Sequence, residues 1–142
     1  MGAWGTGPFD NDDAADFAVS LDLLEPEFRA IAIRTVLTQA VGQTDYLERD
    51  AGGAAVAAAA LVAAQRDDQI PIDCIHGPKH PIPELPDELR HIAVDALARV
   101  LAEYSELNEL WIDSPEGDAW LHMVSSLTTT LSTPVEQDAE SA

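Results

Sequence analysis

AGGAAVAAAALVAA, residues 51–64, is the stretch on which the fold turns. Nine of its fourteen residues are alanine, the residue with the best helix propensity, so a helix is expected in spite of Gly52 and Gly53. No face of that helix carries bulk. Small side chains all round let neighbouring helices come close, which reads as a central or near-central helix running from about Glu48 to about Arg66. Val56, Leu61 and Val62 supply the anchoring that a low-complexity disordered segment lacks.

Helical periodicity also dominates on either side, and strand signals are nearly absent. Upstream, Phe17, Leu21 and Leu24 recur at helical spacing, predicting a helix from about Asp12 to Leu23. Glu25-Pro26 ends it, because a residue before proline avoids the helical region. Pro26 then opens a second helix. Phe28, Ile31, Ala32, Thr35 and Val36 form one face, Ile33, Leu37, Ala40 and Val41 widen it, and Gly42 stops it. So wide a stripe predicts neighbours on two sides.

Downstream, DDQIPIDCIHGPKHPIPELP (residues 67–86) holds five prolines and one glycine, and regular structure cannot persist through it. The expectation is a long extended excursion tethered by Ile70, Ile72, Ile75 and Ile82. Pro86 and Asp87 start the next helix, and Leu89, Ile92, Ala93, Ala96, Leu97, Val100, Leu101 and Tyr104 keep its rhythm. The rhythm continues through Leu107, Leu110 and Trp111, leaving open one long helix or a kink near Ser105. Ser114-Pro115-Glu116 restarts the chain with a cap, a proline and an acid, and Trp120, Leu121, Val124, Leu127, Thr128 and Leu131 carry a last helix. The sum is an all-α, compact single-domain bundle of about five or six helices over residues 1–131. A long proline-rich loop lies on one side, and an acidic flexible tail spans 132–142.

Charge narrows the function classes. The 142 residues carry 26 Asp and Glu against 7 Lys and Arg, a formal net of −19. Such a surface repels phosphate backbones and anionic lipid headgroups, which argues against nucleic-acid and membrane partners and fits a basic protein partner or a simply solvated acidic surface. Cys74 is the single cysteine, in keeping with a reducing compartment. No secretory pattern is visible and the most apolar run, Ala54 to Ala64, is too short to span a bilayer, so the expected location is cytoplasmic.

The opening, MGAWGTGPFDNDDAADF, admits four readings. Met1-Gly2 with Thr6 fits a loose myristoylation pattern, but acids stand where a basic second anchor belongs. Gly2, Gly5 and Gly7 resemble a phosphate cradle, but no strand precedes them and aspartates would repel the phosphate. Asp10, Asp12, Asp13 and Asp16 offer oxygen ligands, yet the calcium-loop glycine and distal glutamate are missing. The fourth reading uses nearly every residue. Asp10 or Asn11 caps the first helix, Asp12 and Asp13 sit in its first turn where the dipole favours negative charge, Phe9 staples back, and Gly5 and Gly7 let Trp4 bury its ring.

Other constellations are weaker. Cys74, His76 and His80 form C-x-H-x3-H, a candidate zinc set that needs a fourth ligand from Asp73, His91 or His122. Cys74 with His76 or His91 lacks the cationic setting a nucleophile needs, since Asp67, Asp68 and Asp73 surround it. Glu106 and Glu109 within Ser105–Glu109 can be an acid–base pair, or join Asp12 and His122, but more simply form the solvated flank of a helix. If Ser105 and Glu106 approach the N-terminal segment, both stretches belong to one docking network. Trp4, Trp111 and Trp120 read as core, and any tryptophan left exposed becomes a candidate partner contact.

The opening, the alanine-rich helix, LPDELRHIAVDALARVL, SELNELW at Ser105 to Trp111 and Trp120 together resemble the bacterial family called domain of unknown function 4259, from Met1 to about Leu131. The chain departs from that pattern at Phe17, where the family carries tryptophan. The resemblance implies a bacterial cytoplasmic protein and a structural signature of Trp4, Phe9, Asn11, Asp12, Asp13, Ser105, Glu106, Trp111 and Trp120, without a mechanism. The expected function is therefore non-enzymatic: a protein-binding or regulatory module, with neutralisation of a toxin among its roles, and no cofactor. The alternative is a metal-binding protein or metal-dependent hydrolase using either the N-terminal aspartates, Asp12 and Asp16 among them, or Cys74, His76 and His80 of the loop; a third is mimicry of DNA by the acidic surface.

Overall fold

A computed structural model describes residues 5–66 and 77–132 of the chain. Within them lie six helices: α1 (Asp12–Asp22), α2 (Pro26–Gly42), α3 (Arg49–Ala64), α4 (Glu88–Val100), α5 (Glu106–Ile112) and α6 (Gly117–Ser132). The described residues contain no sheet; one isolated parallel bridge joins Leu47 to Ser105. The fold is an all-α bundle. None of its described helices is long and apolar enough to cross a membrane.

The alanine-rich helix is the axis. α3 touches each of the other five helices. Gly52, Gly53 and every residue from Ala55 to Ala63 are buried. A helix with methyl groups on all sides lets neighbours approach from every direction, and bulk then comes from the partners: Phe17 and Leu21 of α1, Ile33 and Leu37 of α2, Leu89, Leu97 and Val100 of α4, and Trp120, Val124, Leu127 and Leu131 of α6.

α2 packs against α1, α3 and α4, as its wide stripe requires, but Phe28, Ile31 and Val41 remain exposed. The rhythm that runs on past Val100 does not make one helix. α4 ends there, Tyr104 takes a left-handed backbone (φ 62°), and Ser105 begins α5. A left-handed non-glycine residue costs about 1–2 kcal/mol, so something must hold it. Arg99 does: its guanidinium donates to the carbonyls of Gln43 (2.7 Å), Asp45 (3.0 Å), Glu103 (3.2 Å) and Tyr104 (3.3 Å).

The last helix starts later than Ser114-Pro115 predicts. Ser114 Oγ accepts the Glu116 N–H at 3.2 Å inside a turn, and α6 begins at Gly117. Any Cβ at Gly117 would run into the Trp111 carbonyl oxygen, so the corner depends on glycine for space. It brings Trp111 and Trp120 into a parallel stack, centroids 5.7 Å apart and planes 6° from parallel. Trp120 is buried and Trp111 half-buried.

Of the proline-rich stretch, residues 77–86 carry neither helix nor strand. Its expected tethers Ile70, Ile72 and Ile75 lie outside the described residues, and Ile82 packs on the core. Polar side chains do the rest. Asp22 accepts the N–H groups of Lys79 (2.9 Å) and His80 (2.9 Å), Arg29 donates to the Pro81 carbonyl (2.9 Å), and Gln65 pairs with the Pro83 carbonyl and the Leu85 N–H, both at 2.9 Å. Burial works to raise the Asp22 pKa; the two N–H donors and the His80 and Arg29 charges outweigh it and hold the carboxyl below the ordinary aspartate value.

Candidate functional site

The N-terminal ends of α1, α3 and α5 meet. At the first, Asn11 has extended backbone and its Oδ1 accepts the Ala14 N–H at 2.8 Å, so asparagine and not Asp10 is the cap. Asp10 instead turns back on the preceding loop and accepts the Gly7 N–H at 3.0 Å. A Cβ on Gly5 would overlap that carboxylate. Phe9, directly before, is 1 % exposed. Asp13 in the first turn accepts from Arg49 Nε at 2.9 Å.

At the second, Glu48 provides no side-chain cap to α3. The acceptor comes from another helix: Glu106 Oε1 takes the Arg49 N–H at 2.9 Å. This places a carboxylate on the positive end of the axis helix, where the dipole favours it. Gly53 keeps α1 close. A Cβ there would stand 3.3 Å from Asp13 Cβ and 3.4 Å from Asn11 Oδ1.

At the third, Ser105 is fully buried and its Oγ accepts the Asn108 N–H at 3.4 Å, capping α5. The bridge with Leu47 is closed by Leu47 N–H to the Tyr104 carbonyl (2.8 Å) and Glu106 N–H to the Leu47 carbonyl (2.9 Å). Arg49 is the link between the two stretches that the sequence singled out: its side chain reaches Asp13 and its backbone reaches Glu106. Nothing in the sequence marks Arg49 for this, because it reads as an ordinary charged residue at a helix start. Trp4, the indole expected to plug this region, lies outside the described residues.

Beside the junction a cleft of about 610 Å3 is lined by Gln39, Gln43, Tyr46, Glu48 and Asp50 among others. The Tyr46 hydroxyl donates to Glu109 Oε1 at 2.9 Å. That bond, with partial desolvation and the charges of Glu109, Glu106 and Glu48, pushes the phenol up to about 12. Tyr46 is therefore a neutral donor at physiological pH, not a base. Ser105 is occupied with capping, Glu106 with Arg49 and Glu109 with Tyr46. The Glu106 and Glu109 carboxylates thus hold helices and a phenol in place.

The metal candidates that fall among the described residues, Asp12, Asp16 and His80, form no cluster. Asp12 and Asp16 are exposed on the outer face of α1. His80 lines a separate pocket of about 240 Å3 with Leu61, Gln65 and Ile82. Cys74 and His76 lie outside the described residues. Among the described residues, no three His, Cys, Asp or Glu side chains gather as a metal site.

Fold and junction together define a small acidic helical bundle in which the first turn of α1 and the start of α5 are both fastened to the N-terminus of a buried alanine helix. The sequence model of DUF4259, a domain of unknown function, matches residues 2–123, and the chain belongs to that family. No curated protein and no solved structure matches it.

Proposed function

We propose that the protein is a non-enzymatic binding module for a basic protein partner. The observation that carries this reading is where the cations go. All six arginines are engaged within the bundle. Arg34, Arg49, Arg66 and Arg90 pair with Glu88, Asp13 and Asp87. Arg29 and Arg99 donate to backbone carbonyls, and Arg66 and Arg90 also reach the Thr130 and Leu131 carbonyls at the end of α6. Three carboxylates are thereby matched by arginine among the described residues, in a chain with 26 acids. The surplus gives the chain a negative field that attracts cationic partners and repels nucleic acid. Regulation of a basic enzyme or neutralisation of a basic toxin, in a bacterial cytoplasm, are the roles this surface serves. The structural employment of Ser105, Glu106 and Glu109 supports binding over catalysis.

The test is capture from extract of the native host with the immobilised full chain. A reproducible partner rich in Lys and Arg should be retained at low salt and released as ionic strength rises to about 0.5 M, where the Debye length falls to about 4 Å. Recovery of no reproducible basic protein defeats the proposal.

A further inference from the structure

The acidic field covers much of the molecule, but one corner combines it with apolar surface. Leu110 and Ile112, on either side of Trp111, are 45 % and 70 % exposed, and Leu121, next to Trp120, is 45 % exposed. The Trp111–Trp120 stack ties the end of α5 to the start of α6, so the segments that carry these side chains are held at one corner. Trp111 itself is half-buried, leaving part of a stacked indole exposed. Residues 103–121 include Glu103, Glu106, Glu109, Asp113, Glu116 and Asp118 and no lysine or arginine. The carboxylates of Glu103, Asp113, Glu116 and Asp118 make no hydrogen bond or ion pair among the described residues.

We infer that the α5–α6 corner is the face that receives the basic partner, and that the segment it takes is an amphipathic basic helix. This rests on the binding reading above and adds its location and the shape of the ligand. Apolar side chains around a fixed aromatic, rimmed by unpaired carboxylates, complement a helix that is leucine-like along one side and lysine- or arginine-rich along its edges. A second copy of this chain does not fit, because it would bring the same negative rim, at a net charge of −19, against the first.

The test titrates isotope-labelled full chain at moderate salt with a short leucine–lysine amphipathic helical peptide, and separately with oligolysine of equal charge. Amide shifts should centre on residues 110–123 with the amphipathic peptide. The Leu110→Ser/Ile112→Ser/Leu121→Ser variant changes exposed positions only; it should keep the wild-type helicity and bind that peptide about tenfold more weakly, the scale expected for losing buried apolar contacts. Leu23→Ser/Ile31→Ser, exposed at the end of α1 and on α2, should bind as wild type. The corner assignment is overturned if the triple variant binds unchanged, if the α1–α2 variant loses binding instead, or if oligolysine binds as tightly and shifts residues all over the surface. Each of those results leaves a basic partner in place but puts it elsewhere. Absence of binding by either peptide also overturns the corner, while the partner reading itself stands or falls on capture from host extract.

Discussion

The middle of α3 and its N-terminal end are held by different physics. From Ala55 to Ala63 the helix meets its neighbours through methyl groups and two valines and a leucine, with no polar link needed. At Arg49 the same helix is held by directed bonds, to Asp13 of α1 and Glu106 of α5. The first mode tolerates no added volume, since close approach on all sides leaves nowhere to put it. The second tolerates volume but depends on individual acceptors. The same chain element thus carries a steric constraint and a polar one about two turns apart.

The largest expected effect breaks the steric half. Ala59 is fully buried in mid-helix, and Ala59→Leu should lower stability by about 3 kcal/mol, or prevent folding, because overpacking a dense core displaces backbone as well as side chains. Chemical denaturation measures it; an unchanged midpoint would mean the bundle is looser around α3 than its burial implies. A smaller loss comes from the polar half. Asn11→Ala removes the cap on the Ala14 N–H and should cost about 1 kcal/mol, with amide exchange quickening first in the opening turn of α1. Equal loss of protection throughout α1 would show that the cap has no local role. The smallest effect has the opposite sign. A Cβ at Gly52 would sit 3.5 Å from Leu107 Cβ and 3.7 Å from Leu47 Cδ2, ordinary contact distances, so Gly52→Ala should stabilise by about 0.5 kcal/mol through helix propensity. The same change at Gly53 meets Asp13 and Asn11 at 3.3–3.4 Å and should gain less. Equal thermal shifts for the two variants would erase the distinction between the faces of α3.

What the sequence made legible follows this division. Alanine propensity and lack of bulk marked α3 as central, and cap chemistry marked the start of α1, because both signals are local. The end of α4 was not legible. Apolar spacing continues through Leu101, Tyr104 and Leu107, while the break is enforced by Arg99 bonding to carbonyls 54 and 56 residues away. The late start of α6 has a similar cause, since the Trp111 carbonyl, not the Ser114 cap, sets where Gly117 can lie. In the proline-rich stretch the lack of regular structure was readable from composition, and Ile82 packs on the core as expected, but the polar tethers Asp22, Arg29 and Gln65 that hold the described part carry no local mark. At the junction, Asn11, Asp13, Ser105 and Glu106 were visible by type, and the residue that links them, Arg49, carries no local mark.

Arg99 also limits how this chain can be re-engineered. Interhelical turns are the usual places to open a chain, graft a tag or move the termini. Here the turn after α2 and the turn after α4 share one guanidinium, so cutting either releases both and frees Tyr104 from its left-handed state. A lysine cannot substitute, because one ammonium with three protons cannot serve four carbonyls spread across a planar fork. The turn between α1 and α2 carries a like limit, since the Arg29 guanidinium joins the Leu21 carbonyl at the end of α1 to the Pro81 carbonyl of the proline-rich stretch.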